Sequence, residues 1–184
     1  CYGEKTYRQL KKVFNKACEP YLGDNAMRLY ARRMIHMADM NFDALIKQEN
    51  RKLQGLTFKN KVHINCQPLR EDSGIFADIE LIEVGEISCV ARIIEDREGI
   101  YSPAIYKIKT INVLDSLFNG RKQFKDEVKY LISFIGAYSN SFLRGDKVFL
   151  EGKLVQVRNG GKIAYGIELS PWNTNRTFKA LLLN

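Results

Sequence analysis

Two apolar, β-branched and aromatic runs separated by a polar break fill the stretch from Val128 to Val157, and they limit what the chain can fold into. The break covers Asn140 to Lys147 and contains Arg144-Gly145-Asp146, a turn signal. After it, Val148, Leu150 and Leu154 share one face at period two, while Lys147, Glu151 and Lys153 share the other. Gly152 sits mid-strand on the apolar face, which suits a sharply coiled strand or a close approach by another backbone. Leu154, Val155 and Val157 cannot all share one face, so a bulge is expected near Leu154. The pattern predicts the closing half of a small β-barrel, a binding architecture sooner than a catalytic one.

The sequence on either side extends that reading. Strands are expected at Glu86 to Ile94, Pro103 to Leu114, Val128 to Tyr138, Lys147 to Val157 and Ile163 to Leu169, with a closing strand over Thr177 to Leu183. On the second of these, Ile105, Ile111 and Val113 are expected on one face beside Lys107 and Lys109. Residues 95–99 form a polar turn, and Arg158-Asn159-Gly160-Gly161 is a strong hairpin signal. Five or six strands with no long helix between them predict a Greek-key barrel of the OB kind.

The N-terminal part is helical. Thr6 and Gln9 have the spacing of a capping box, and Tyr7, Leu10, Phe14, Ala17 and Cys18 recur at helical spacing up to Pro20. A second helix follows Asp24 or Asn25, with Met27, Tyr30, Met34 and Met37 as its apolar stripe and Arg28, Arg32 and Arg33 projecting. A third is expected from Phe42 to Leu53, stopped by Gly55. Leu56 to Cys66 then predicts a short strand pair, and residues 75–84 an acidic, partly apolar connector with room for a short strand. The fold class is thus α+β: two to three helices with a short strand pair over 1–74, then a five- to six-stranded OB-like barrel over 75–184.

Charge divides the chain into three parts. Residues 1–66 carry +7, residues 67–118 carry −5 and residues 119–184 carry +6, for a net +8. The two basic parts either converge on an anionic ligand or are two solvated faces. Tyr106, Phe134, Tyr138, Phe149, Tyr165 and Trp172 interleave with Lys107, Lys109, Lys129, Lys147, Lys153 and Lys162. Aromatics among cations suit single-stranded nucleic acid, and aromatics alone suit a core. Arg28, Arg32 and Arg33 likewise suit phosphate or a solvated helix face.

Other chemistry is weakly represented. The chain has no P-loop, no G-x-G-x-x-G, no H-E-x-x-H and no G-x-S-x-G. Cys1, Cys18, Cys66 and Cys89 match no disulfide framework, so they are expected reduced, in the cytoplasm. His63 and Cys66 are the one local hint of a metal pair, and two ligands do not make a zinc site. No apolar run approaches 18 residues, so no spanning segment is expected.

The run EISCVARIIEDREGIYSPAIYKIKTINVLDS resembles the C-terminal region of archaeal predicted nucleotidyltransferases of the DNA polymerase β superfamily. Those proteins have a similar acid-rich turn followed by Pro-Ala-Ile-Tyr, here Pro103 to Tyr106. ISFIGAYSNSFLRGDKVFLEGKLVQV is similar to their SFEG…GD.V.V.GKLE.V segment, through Ser133, Phe134, Gly136, Gly145, Asp146, Val148, Gly152, Lys153 and Leu154. Arg28 to Arg33 resembles their Arg-Leu-Tyr-Arg-Arg helix, and LTFKNKVHINCQPLRED their strand pair. The likeness covers most of the chain in order.

In that family a Gly-Ser turn and an Asp-x-Asp pair hold two Mg²⁺ for attack on a nucleotide phosphate. The resemblance puts that module before Cys1 and likens Cys1-Tyr2-Gly3 to the end of its strand. The strand that could supply a third carboxylate, Val62 to Cys66, holds His63 and Asn65 and no acid. No catalytic residue is therefore assigned, and the chain alone is expected to be inactive. It is expected to be the C-terminal portion of a nucleotidyltransferase-like protein whose catalytic domain is missing, positioning a nucleotide or nucleic acid. No cofactor is expected in this chain, and Mg²⁺ is implied for the full-length protein. The alternatives are a free-standing OB-like nucleic-acid-binding module and a structural or oligomerising domain. The expected phosphate or nucleic-acid contacts are Arg28, Arg32, Arg33, Lys107, Lys109 and Lys153, with Tyr106 and Phe134.

Overall fold

The structure, a computed structural model, describes residues 2–19, 41–58, 62–66, 79–121, 124, 126–159, 161–171 and 178–183. The expected second helix, with Arg28, Arg32 and Arg33, lies outside these, as do Trp172 and the side chain of His63. Helix α1 (Tyr2–Ala17) begins before Thr6, which is therefore inside the helix and not its cap. It leads into β1 (Cys18–Glu19). Helix α2 spans Phe42–Glu49 and is capped by Asn41, whose side-chain oxygen accepts from the Asp43 N–H at 2.9 Å. It ends at Asn50, earlier than expected. Gly55 does not stop it, because Gly55 lies inside β2 (Leu53–Thr57), opposite Ile64 of β3 (His63–Cys66). These strands form a small antiparallel sheet in the order β1-β2-β3.

The second sheet holds six strands: β4 (Glu80–Glu95), β5 (Ala104–Phe118), β6 (Val128–Ser133), β7 (Lys147–Asn159), β8 (Lys162–Leu169) and β9 (Lys179–Leu183). Their order is β4-β5-β6-β8-β7-β9, with β4 also pairing β7. All pairs are antiparallel except β6–β8. The described end of the acidic connector is strand, as the short strand allowed for there: Glu80 to Glu83 pair with Val155 to Arg158. Lys153 binds Glu83 at 2.7 Å, and Arg158 approaches Glu80 at 3.6 Å.

The bulge expected near Leu154 is instead on the partner strand. Val84 drops out of register between Glu83↔Val155 and Gly85↔Leu154. Leu154 joins the main core while Val155 and Val157 join a second cluster with Ile105 and Ile132, so this end of β7 is apolar on both faces. On β5, Ala104, Tyr106 and Ile108 enter the main core. Ile111 and Leu114 fall out of register and stand about half exposed, at 51% and 54%. The two bulges break the period-two pattern, which is why Ile105, Ile111 and Val113 do not share one environment. Strand β6 stops at Ser133, and Gly136–Tyr138 is a 3-10 turn. The Tyr138 hydroxyl returns to the core and accepts from the Ala180 N–H at 3.1 Å.

The hairpin expected at 158–161 forms, with Asn159 opposite Lys162 and Gly161 at φ +81°. The Arg144-Gly145-Asp146 turn forms with Gly145 at φ +97°, its N–H donating to the Ile93 carbonyl at 2.8 Å. Helix α2 buries Ala44 and Leu45 in the same core as the strands beyond residue 79, across the expected boundary at 74/75. Arg51 continues that join, with Nη1 2.5 Å from the Asp146 carboxylate. No described helix is long and apolar enough to cross a membrane.

Candidate functional site

The outer face of β4, β5 and β7 carries a row of cations set by strand register. Lys147 of β7 lies opposite Arg92 of β4, and Arg92 lies opposite Lys109 of β5. All three are exposed, and none has a side-chain hydrogen bond or ion pair among the described residues. On β4 they are produced by simple alternation: Cys89, Ala91 and Ile93 are enclosed in the core, so Val90 and Arg92 face out. Like charges directly opposite one another on a sheet repel. The row therefore costs stability in the free protein, and a bound anion would relieve that cost.

The next positions along the strands are Phe149, Val90 and Asn112. Phe149 is half-buried, and the Lys179 ammonium stands 6.0 Å from its ring centre. Ile94 and Ile111, both shifted out of register, add exposed apolar surface beside the cations. Two positions further, Ser88 lies opposite both Glu151 and Asp115. With Glu86 these line a depression of about 240 Å³. The face is thus positive at one end and negative at the other.

The expected contacts divide among different places. Lys109 belongs to the row. Lys107 is also exposed on β5, but its ammonium sits 2.7 Å from the Glu95 carboxylate across the β4–β5 pair. That hydrogen bond raises the Lys107 pKa and lowers that of Glu95. Lys153 lies six residues along β7 from Lys147, about 20 Å away at strand spacing, and is held by Glu83. Hydrogen bonding to Glu83 raises its pKa as well. Phe134 packs against the second cluster of Ile105, Ile132, Val155 and Val157.

Tyr106 is fully enclosed, so it has no open ring face for a base. Its hydroxyl donates to the Tyr138 carbonyl at 2.7 Å and accepts from the Ser141 N–H at 3.1 Å. Its role is to hold the segment before the Arg144-Gly145-Asp146 turn. Arg92 and Lys147 were not among the expected contacts. Their outward parity could be seen in the sequence, but their register with Lys109 depends on strand pairing.

Among the described residues, no group of three or more His, Cys, Asp or Glu is placed to hold a metal ion. Cys18, Cys66 and Cys89 are free thiols. Burial of Cys89 pushes its pKa up to about 12, so it is no nucleophile near neutrality. No family model matches the sequence, and no curated protein matches it.

Proposed function

We propose that β4 to β9 form an OB-like barrel and that the chain binds single-stranded nucleic acid on the outer face of β4, β5 and β7. It is a non-catalytic module that positions a strand, alone or within a nucleotidyltransferase-like protein as the resemblance implies. The barrel is supported by strand pairings that return to their start: β4 pairs β5, β5 pairs β6, β6 pairs β8, β8 pairs β7 and β7 pairs β4. The parallel β6–β8 pair is the crossover by which a Greek-key arrangement closes. The free thiols of Cys18, Cys66 and Cys89 fit a reducing, cytoplasmic setting.

The observation that carries the binding is the row of Lys147, Arg92 and Lys109, in register and without acidic partners among the described residues. The exposed Ile94 and Ile111 and the ring of Phe149 give bases an apolar surface next to the cations. The test is fluorescence anisotropy of a labelled oligothymidylate against salt. Three phosphate contacts at about −0.7 each give a log–log slope of about −2, or roughly a 20-fold loss of affinity between 50 and 200 mM salt. Replacing Arg92, Lys109 and Lys147 by Ala is expected to flatten the slope, and Lys153→Ala to leave it unchanged. An unaltered slope in the triple variant would reject the face.

A further inference from the structure

A second cationic place lies where the helical part meets the end of the six-stranded sheet. It is a groove of about 500 Å³, lined by Arg8, Lys11, Arg51, Arg97 and Arg144 with Asp96 as the one carboxylate among the lining residues. Four segments build it. Arg8 and Lys11 stand three residues apart on α1, on neighbouring turns of one side. Arg51 follows α2, Arg97 opens the 3-10 turn Arg97–Ile100 after β4, and Arg144 belongs to the turn before β7. Ile100 and Leu143 supply apolar wall.

Three of these groups have structural duties that keep the groove in shape. Arg51 binds both carboxylate oxygens of Asp146 and the Ser141 carbonyl. Asp96 accepts the Arg144 backbone N–H at 3.1 Å. Lys11 donates to the Lys52 carbonyl, which docks α1 beside the end of α2. Burial lowers the Lys11 pKa, the sign of an ammonium short of solvent and counter-charge. Arg97 lies two residues past the end of β4 at Glu95, and Arg144 lies three before Lys147, in a turn held to β4 by the Gly145 N–H donating to the Ile93 carbonyl at 2.8 Å. The groove therefore adjoins the Lys147–Arg92–Lys109 row.

A space of this size suits a ligand of nucleotide dimensions. An internal phosphodiester brings one negative charge, whereas a phosphate monoester brings close to two near neutrality. Guanidinium groups grip such a phosphate with paired hydrogen bonds. We propose that this groove binds a phosphate monoester, namely the phosphorylated end of the strand laid across the outer face. The strand-end source rests on the function proposed above, and the monoester chemistry of the groove stands without it. A free phosphorylated small molecule is the other source of the same group.

The test uses oligothymidylates carrying phosphate or hydroxyl at either end, read by anisotropy with the whole chain. A terminal phosphate is expected to tighten binding about tenfold, the scale of charge-assisted hydrogen bonds. The double variant Arg97→Ala, Arg144→Ala is expected to lose that advantage and keep its affinity for the hydroxyl-ended strand. Both side chains are exposed, so folding is not at stake. Equal affinity for both kinds of end in the parent protein would overturn the proposal. So would a groove variant that weakens both strands alike, since the backbone would then simply pass through. Thymidine monophosphate, titrated by calorimetry, separates the sources: binding as tight as that of the strand end, lost in the groove variant, keeps the monoester site and assigns it to small molecules. If hydroxyl-ended strands do not bind at all while the monophosphate does, the outer-face reading fails and the groove stands.

Discussion

Removing one oxygen from Tyr106 separates a structural tyrosine from a base-stacking one. The Tyr106 hydroxyl joins three backbone groups, the Tyr138 carbonyl at 2.7 Å, the Ser141 N–H at 3.1 Å and the Gly99 carbonyl at 3.2 Å. Tyr106→Phe keeps the ring and its edge-on contact with Phe142, whose centre is 5.4 Å away. The Gly99 carbonyl keeps the Asn140 N–H, but the other two groups lose this partner, and a buried group left unpaired costs about 1–3 kcal/mol. The two do not simply add, because the Ser141 N–H already leans towards the Tyr138 carbonyl at 3.4 Å and can close on it. A net loss of about 2 kcal/mol is therefore expected. At about 2–4 °C per kcal/mol for a chain of this length, the melting temperature should fall by roughly 4–8 °C. Urea unfolding followed by circular dichroism, at 25 °C and fixed pH, gives the free energy directly. A variant within about 0.5 kcal/mol of the parent, the usual range for surface changes, would refute the reasoning and reopen the stacking role.

Gly152→Ala would place a methyl 2.6 Å from Ile167 Cγ2, 2.8 Å from the Glu168 carbonyl oxygen and 3.0 Å from Leu169 Cδ2. Overpacking costs about 1–3 kcal/mol, and the stiffer unfolded chain returns about 0.4–1 kcal/mol. The urea midpoint should therefore fall, and a rise would refute the close approach. Cys89 has its pKa raised from 9.0 to about 12 by burial. A raised acid contributes stability below its unfolded pKa and loses it as pH climbs to the folded one. Stability should thus decline from pH 9 towards pH 12, by about 1.4 kcal/mol per pH unit from this group. Cys89→Ala should remove that share of the decline, and an identical pH profile would count against it. Peptide mapping after alkylation at pH 8 should find exposed Cys66 modified well before Cys89.

The strand sequence was largely legible because most strand positions alternate between a buried and an open face. Alternation located β7, apolar runs between turn and proline breaks located β5, β8 and β9, and the Asn159-Gly160-Gly161 signal located the hairpin. It failed where a strand is buried on both sides or where register shifts. Val155 and Val157 imitate a bulge because a second cluster covers the face opposite Leu154. Glu80 to Glu83 resemble a connector because their partners, Lys153 and Arg158, are more than sixty residues away. The candidate site was legible in kind and not in membership. Of the interleaved lysines and aromatics, Lys109, Lys147 and Phe149 stand together on the outer face while Tyr106 and Tyr138 are core, and only pairing separates Lys109, beside Arg92, from Lys107 and Lys153, which are held by glutamates. The sequence around Tyr106 gives no sign of the carbonyl that claims its hydroxyl.

The double pairing of β4 also sets an order of events. Its hairpin with β5 links residues close in the chain, down to Glu95 and Lys107. Its other ladder joins Glu80 to Arg158, so that edge cannot form until nearly the whole chain is available. Closing so long a loop is entropically costly and slows folding. During synthesis, the open edge of β4 would therefore stay exposed the longest. The edge carries Glu80, Glu83 and Glu86, and charged residues on a strand edge discourage pairing with other chains. The acids that hold Lys153 and Arg158 in the finished fold would thus also guard the unfinished one against aggregation.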